Sequence, residues 1–243
     1  KAEIEKLSSK LKRLNVEVIA ISFLHSYANP KNEERVEKIL KHLGIPISSS
    51  SKILSEFREY ERTSTTVANS YLLDRVKSYM DGLSMKLPQC RIFIMHSGGG
   101  IVSPNQAGDE PVRLILSGPA GGVVGGFKIA ETIGYKKIIT YDMGGTSTDV
   151  ALCDGVLRFT TETCIDGIPI KIPMVDVMSI GAGGGSIAYI DAGGALKVGP
   201  MSAGAEPGPA CYGRGSNATV TDANLVLRRI NPNWFLGGRM KIF

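Results

Sequence analysis

A mixed α/β protein is expected from three features of the 243-residue sequence. Up to Met95, stretches with apolar residues at helical spacing alternate with short β-branched runs, the pattern of strands joined by helices. Beyond Tyr135 the text becomes short apolar segments separated by tight turns at Gly144-Gly145 and Asp154-Gly155, the pattern of a β-meander. Between the two lies a glycine-rich stretch, residues 118–134, that still reads as a helix.

Taken in order, residues 2–14 carry Ile4, Leu7, Leu11 and Leu14 at the spacing of an amphipathic helix. Residues 16–23 (VEVIAISF) read as a buried strand. Asn29-Pro30 opens a second helix to about residue 43, and Gly44 stops it. Residues 45–53 are expected to be extended. Residues 59–87 read as helical, with a break near Asn69. Residues 91–95 form another buried strand, followed by the glycine loop HSGGG (96–100), a polar stretch to about residue 112 and the short apolar run 114–116. Glycine inside the 118–134 helix costs about 1 kcal/mol per residue relative to alanine, so a close packing contact is expected there. Strands follow at about 137–142, 147–153, 156–162, 175–180 and 186–190. Residues 193–218, rich in Gly, Pro and Ala, read as a long ordered loop, and 222–229 as a short helix capped by Asp222 or Thr221.

Composition narrows the class. A hydrophobic content of 43% supports one large or two modest cores. No apolar run reaches the roughly 18 residues of a membrane helix, so no membrane association is expected. The chain begins at Lys1, which points to an incomplete or processed chain. Cys90, Cys153, Cys164 and Cys211 form no CxxC pair and suggest neither a zinc site nor a disulfide framework. A reducing cytoplasm is the simplest home for them. The net charge of +5 is dispersed, without a basic stripe and interleaved aromatics, so no nucleic-acid partner is expected.

The most informative segment is 138–152, IITYDMGGTSTDVAL. A β-branched run ends in Asp142; two glycines, three hydroxyl residues and Asp149 follow. A strand that delivers a carboxylate into a glycine turn lined with hydroxyls suits a phosphate and its metal. Gly144 and Gly145 let backbone N–H groups approach an anion, and the acids suit Mg²⁺ or the orientation of an attacking water. The pattern also fits a plain hairpin with a Gly-Gly turn and threonines on a solvated strand.

Six blocks raise the phosphate reading. YERTSTTVANSYL (60–72), LSGPAGGVVGG (116–126), DMGGTSTDVAL (142–152), IGAGGGSIAYID (180–191), VGPMSAGAEPGPACYGRG (198–215) and TVTDANLVL (219–227) together resemble the hydantoinase A/5-oxoprolinase family, in that order. The glycine hairpin is similar to the second phosphate-binding hairpin of the wider actin-like ATPase and sugar kinase superfamily. The resemblance implies an RNase H-like fold: two mixed α/β lobes, an interlobe nucleotide cleft, and here an incomplete chain. Residues 1–117 would belong to the first lobe, 118–135 to a connecting helix and 136–243 to the start of the second. The first phosphate hairpin and the late adenosine-binding segment of that superfamily are missing from the sequence.

The same resemblance implies ATP and Mg²⁺ as the cofactors, a small cyclic amide such as a hydantoin or 5-oxoproline as substrate, and a hydantoinase B-type subunit or fused domain as partner. The activity would be ring opening after ATP phosphorylates the amide oxygen; the family also activates ketones for carboxylation. Asp142 and Asp149 are the candidate catalytic acids, with Asp142 also the metal ligand. Gly144, Gly145, Thr146, Ser147 and Thr148, with Gly183, Gly184 and Gly185, are the candidate nucleotide-binding residues. Asp149 also fits a hairpin-bracing role, and the 183–185 run a tight bulged turn. Met178 stands where the family pattern suggests a His after Asp176-Val177, so no transition-metal site is assigned. His96, Cys211 and Arg62 are weighed as acid/base, nucleophile and cleft residues against ordinary structural roles; His25, His42 and Asp222 read as structural. The alternatives are a small-molecule kinase or a nucleotide-dependent conformational switch of the same superfamily.

Overall fold

The computed structural model describes residues 2–165 and 167–243. It is a mixed α/β structure that divides into two compact units, Lys1–Val124 with Leu157–Asp176, and Gly125–Val156 with Val177–Phe243.

The first unit opens with α1 (Ala2–Arg13), β1 (Ile19–Ile21), α2 (Lys31–Leu40) and β2 (Ile47–Ser49). β1 and β2 pair in parallel, Ile19 opposite Ile47. Their buried side chains, with Leu40, gather Ile4 and Leu11 of α1 and Val36 of α2 into one apolar cluster. α2 runs into a short 3₁₀ turn that ends at Gly44, whose φ of 69° is the left-handed cap that glycine supplies without strain. Residues 45–53 are only partly extended: β2 passes directly into the short α3 (Ser50–Ile53).

α4 (Glu59–Lys86) is one unbroken helix of 28 residues. The expected break at Asn69 is absent because that side chain bonds outside the helix. Its amide donates to Ser48 Oγ at 2.9 Å and to the Asp109 carbonyl at 3.3 Å, while its oxygen accepts the Val112 N–H at 3.1 Å. Neighbouring buried hydroxyls are satisfied within the helix: Thr65 and Thr66 donate to the carbonyls of Glu61 and Arg62, each at 2.7 Å. Arg62 is fully buried, donating to Ser26 Oγ and the Phe23 carbonyl, each at 2.6 Å, and pairing with Glu59. β3 (Ile94–Met95) and β4 (Ile101–Val102) form a small hairpin around the HSGGG loop. α5 (Pro104–Asp109), capped by Ser103, and a 3₁₀ turn at Pro111–Leu114 occupy the stretch expected to be irregular.

α6 (Ser117–Thr132) contains the boundary between the units. In the second unit β5 (Lys137–Met143) and β6 (Thr148–Asp154) form the glycine hairpin. The close packing expected of the glycine helix is seen at Gly126, where a Cβ would stand 3.3 Å from the Thr140 methyl.

The β-meander does not continue as expected. β7 (Phe159–Ile165) pairs with β8 (Ile168–Val175) in a separate ribbon counted with the first unit. The reason is the apolar face of β8: Ile170, Ile172 and Met174 pack with Ile53, Val112 and Ala68 of α4 in a buried cluster. Alternate burial there outweighs sequence adjacency. The strand expected over 175–180 is split: β8 ends at Val175, and β9 (Met178–Ile180) pairs with β6 in the second unit.

β10 (Ser186–Ile190) pairs antiparallel with β11 (Leu196–Ser202), so the first part of the expected loop 193–218 is a strand. The turn between them is set by Asp191, whose Oδ1 accepts the N–H groups of Gly193 and Ala195, each at 2.9 Å. α7 (Val220–Val226) is capped by Thr219, not by Thr221 or Asp222 alone; Asp222 completes a capping box with it. Among the described residues no helix is long and apolar enough to cross a membrane.

Candidate functional site

The candidate residues of the second unit come together around the turn of the β5–β6 hairpin. Asp142 is opposite Asp149, and Met143 opposite Thr148, so the two carboxylates lie one residue pair from the turn. The turn closes with the Gly144 N–H donating to the Ser147 carbonyl at 2.9 Å. Gly144, Gly145 and Thr146 are exposed, and Thr148 is buried. The Thr148 hydroxyl donates to the Ala182 carbonyl at 2.5 Å, tying β6 to the segment after β9. Asp149 accepts a hydrogen bond from Ser179 Oγ on β9.

The glycine run 183–185 supports the turn from beneath. Gly184 N–H donates to the Gly144 carbonyl at 2.9 Å, and Gly185 N–H to the Gly145 carbonyl at 2.7 Å. These bonds fix the orientation of the two glycine peptides. A Cβ on Gly183 would lie 2.6 Å from Thr146 N and 2.7 Å from Ser147 N, so only glycine lets the two backbones approach this closely. The run is itself held from both sides. Thr221 N–H and Oγ1 both donate to the Gly184 carbonyl at 2.8 Å, Ala203 N–H donates to the Gly185 carbonyl at 2.8 Å, and Gly183 N–H donates to the buried Ser186 Oγ at 2.8 Å.

A cavity of about 630 Å³ opens beside this platform. Gly145, Thr146, Gly184 and Gly185 form one side of it. Tyr212, Phe235, Leu236 and Met240 give it an apolar wall, and Arg214 lines it as well. The rings of Tyr212 and Phe235 meet with centroids 5.5 Å apart. Sequence reasoning did not single out these wall residues. The signal present in the text was the proximity of the ACYGRG segment to so many glycines, which carries no direction in space.

Other candidates take structural roles or stand apart. Burial, the hydrogen bond to Asp222 and the charge of Asp222 push the Cys211 thiol up to about 12, so it is protonated and inert at neutral pH. Asp222 accepts the N–H groups of Cys211 (2.7 Å), Thr219 (2.7 Å) and Ala210 (3.3 Å). His96 belongs to the first unit; its Nδ1 accepts the Gly98 N–H at 3.0 Å, which leaves the ring proton on Nε2 when neutral. Asp176 and Met178 are both exposed. Among the described residues no group of three or more His, Cys, Asp or Glu side chains is arranged to hold a metal ion. The opposed Asp142 and Asp149 remain a suitable donor set for Mg²⁺, which is bound by one or two carboxylates together with substrate phosphates.

Comparison with known proteins gives these features a context. The chain is 39% identical over 239 residues to the caprolactamase subunit alpha of Pseudomonas jessenii, covering 93% of this chain and 34% of that subunit. It is 40% identical over 230 residues to the 5-oxoprolinase of Saccharomyces cerevisiae, covering 90% of this chain and 17% of that protein. The crystal structure of the ATP-dependent caprolactamase from P. jessenii superposes with a TM-score of 0.83 at 36% identity, over 100% of this chain and 36% of that one. The nucleotide-free structure of acetone carboxylase, described in terms of ATP-dependent acetone carboxylation, superposes with a TM-score of 0.78 at 34% identity, over 98% of this chain and 35% of that one. The chain thus spans little more than a third, or less, of the length of these relatives. The Hydantoinase/oxoprolinase family model matches residues 62–243, and the model of the Hydantoinase/oxoprolinase N-terminal region matches residues 1–44. With both models matched in sequence order across the two units, the chain belongs to the hydantoinase/oxoprolinase family.

Proposed function

We propose that this chain is part of an ATP-dependent enzyme that opens a cyclic amide by phosphorylating its carbonyl oxygen, with the β5–β6 turn holding the terminal phosphates of the nucleotide. The observation that carries this reading is the docking of Gly144 and Gly145 onto Gly184 and Gly185. Two hydrogen bonds of 2.9 and 2.7 Å fix the glycine peptides of an exposed turn, one residue pair from two opposed carboxylates. Phosphoryl transfer is catalysed mainly by positioning and charge neutralisation, and a rigid turn of this type supplies positioning.

In this proposal Asp142 is the principal acid, with Asp149 opposite it. Mg²⁺ would be held by Asp142 and would neutralise phosphate charge when bound. Exposed Thr146 and the glycine peptides face the nucleotide, while Thr148, bonded to Ala182, keeps the strand in place. Transfer of the γ-phosphoryl group to the amide oxygen releases ADP and makes the ring carbon electrophilic. Water then adds at that carbon, the ring C–N bond opens as the nitrogen takes up a proton, and a second water hydrolyses the resulting acyl phosphate to the carboxylate and phosphate.

The two RNase H-like lobes, residues 1–117 and 136–243 joined by 118–135, and a nucleotide cleft between them are part of the same proposal. So is a partner of the hydantoinase B type; the matched caprolactamase chain is itself named a subunit.

The test is ADP release by the intact polypeptide with its partner, in the presence of 5-oxoproline, hydantoin or caprolactam. Release that rises at least tenfold with one of these amides supports the reading. A slow rate that no cyclic amide alters replaces it with a conformational switch.

A further inference from the structure

Charge neutralisation around a transferring phosphoryl group requires cations as well as amides. The hairpin from Asp142 to Asp149 contains two acids and no basic residue. The cavity that touches its turn is different: among the described residues that line it, Arg214 alone carries a charge. We propose that Arg214 is a catalytic residue that clasps the phosphoryl group held at the Gly144–Thr146 turn. This rests on the phosphate reading of the hairpin and adds the cation that the hairpin lacks.

Three observations support the assignment. The first is shared placement: Arg214 lines the same 630 Å³ cavity as Gly145, Thr146, Gly184 and Gly185. The second is availability. The Arg214 side chain is half-exposed, and among the described residues its ion pair runs to Glu206 at 3.5 Å, a side chain that is 82% exposed. Such a surface pair is weak and exchanges readily for a bidentate phosphate contact.

The third is the rigidity of the loop that carries it. Asp222 accepts the N–H groups of Ala210 and Cys211, at 3.3 and 2.7 Å, and so ties the loop to the start of α7. Gly213, with φ of 73°, ends the short turn Ala210–Tyr212 just before Arg214. A Cβ on Gly208 would lie 2.6 Å from the Tyr212 ring, so that ring lies directly against the loop backbone. A long side chain on a fixed base reaches a defined volume, the requirement for a clamp that must not reorganise during transfer. Arginine suits this task better than lysine because its planar fork matches two phosphate oxygens at once.

The experiment uses the intact polypeptide with its partner and four variants, Arg214→Ala, Arg214→Lys, Glu206→Gln and Asp142→Asn. Amide-dependent ADP release gives kcat and KM, and calorimetry gives the affinity for inorganic tripolyphosphate. The expected result is a fall in kcat of about a hundredfold or more for Arg214→Ala, with little recovery in Arg214→Lys. Guanidinium ion added to Arg214→Ala should restore part of the rate, which a purely structural role would not allow. Tripolyphosphate should bind at least about tenfold more weakly to Arg214→Ala, and as tightly as wild type or tighter to Glu206→Gln.

Activity of Arg214→Ala within threefold of wild type overturns the inference. A loss that guanidinium does not restore, with tripolyphosphate affinity unchanged, also overturns it. If Asp142→Asn abolishes turnover while Arg214→Ala does not, the hairpin reading stands and only the clamp falls. If neither variant changes turnover or tripolyphosphate binding, both readings fall together.

Discussion

Asp142 and Asp149 stand directly opposite each other across the β5–β6 ribbon, and Ser179 of β9 donates a hydrogen bond to the second of them. Like charges at directly opposed positions oppose strand pairing by a few tenths to about 1 kcal/mol. A hairpin built for stability alone would not place them there. The proposed function gives the pair a use, since two facing carboxylates suit a cation bound with phosphate. Asp142→Asn removes that repulsion without changing shape. Its thermal midpoint should equal or exceed that of wild type, while turnover of the intact enzyme falls about a hundredfold or more. Differential scanning calorimetry and ADP release on the same preparation check both halves. Wild-type-like turnover removes Asp142 from the reaction.

Gly183 and Gly145 lie on the two sides of the same contact, and alanine should destabilise the fold at the first but not at the second. At Gly183 the new Cβ would meet Thr146 N at 2.6 Å and Ser147 N at 2.7 Å, both backbone atoms that cannot swing aside. Gly183→Ala should lower stability by about 1–3 kcal/mol and raise the KM for ATP by displacing the turn. At Gly145 nothing lies within 4 Å of a Cβ. Gly145→Ala should fold with stability within about 0.5 kcal/mol of wild type. If the turn receives the phosphates as proposed, its KM for ATP should still rise, because the methyl group projects from that exposed turn. Urea titration separates the two variants; equal destabilisation would show that the turn is not docked as described.

What was legible in the sequence was what local chemistry dictates. Asp142 at a strand end, the Gly144-Gly145 turn and the α2 stop at Gly44 follow from the conformational freedom of glycine and the periodicity of apolar residues. What escaped was decided by distant contacts. Asn69 reads as a helix breaker in isolation, and only Ser48, Asp109 and Val112 make it a helix-stabilising residue. The β7–β8 ribbon looked like a continuation of the meander because nothing local records that Ile170, Ile172 and Met174 pack with Ile53 and Val112. Thr219 does not stand out as the cap in sequence, because Thr221 and Asp222 beside it carry the same kind of oxygen acceptor. The partnership of Gly184 and Gly185 with Gly144 and Gly145 spans about 40 positions, and no periodicity links such a pair.

The four cysteines divide by environment, and alkylation should reveal it. All are free thiols; Cys90 and Cys164 are exposed, Cys153 and Cys211 buried. Burial raises the Cys153 thiol above its ordinary value, and burial together with Asp222 pushes Cys211 up to about 12. Since the thiolate is the reactive form, iodoacetamide at pH 7.5 should modify Cys90 and Cys164 first, with the other two protected until unfolding. Peptide mass spectrometry at timed intervals reads the order. Modification of Cys211 as fast as Cys90 would contradict its burial within the Ala210–Tyr212 turn.

Acid should unfold the protein through a small number of hydrogen-bonded carboxylates, chief among them the partly buried Asp222 and the buried Glu33. Burial alone would raise both, but hydrogen bonds outweigh it. Asp222 is held below its ordinary value by the Cys211 and Thr219 donors, and Glu33 by the Ser50 hydroxyl and the N–H groups of Ser51 and Phe23. A carboxylate whose folded pKa is depressed contributes stability that is fully present above its unfolded value near 4. That contribution is lost as pH falls through the lower folded value. Stability should therefore be level from about pH 7 down to about pH 5 and decline steeply below about pH 4. Asp222→Asn keeps the size of the side chain but turns one of its two acceptor oxygens into an NH₂ donor, so the N–H groups of Cys211 at Oδ1 and Thr219 at Oδ2 can no longer both be accepted. It should cost about 1–2 kcal/mol at pH 7, and its stability curve should converge with that of wild type as both are taken below pH 4. Urea unfolding at a series of pH values measures the convergence. A constant gap between the two curves down to pH 3 would mean that the Asp222 charge contributes nothing to the fold.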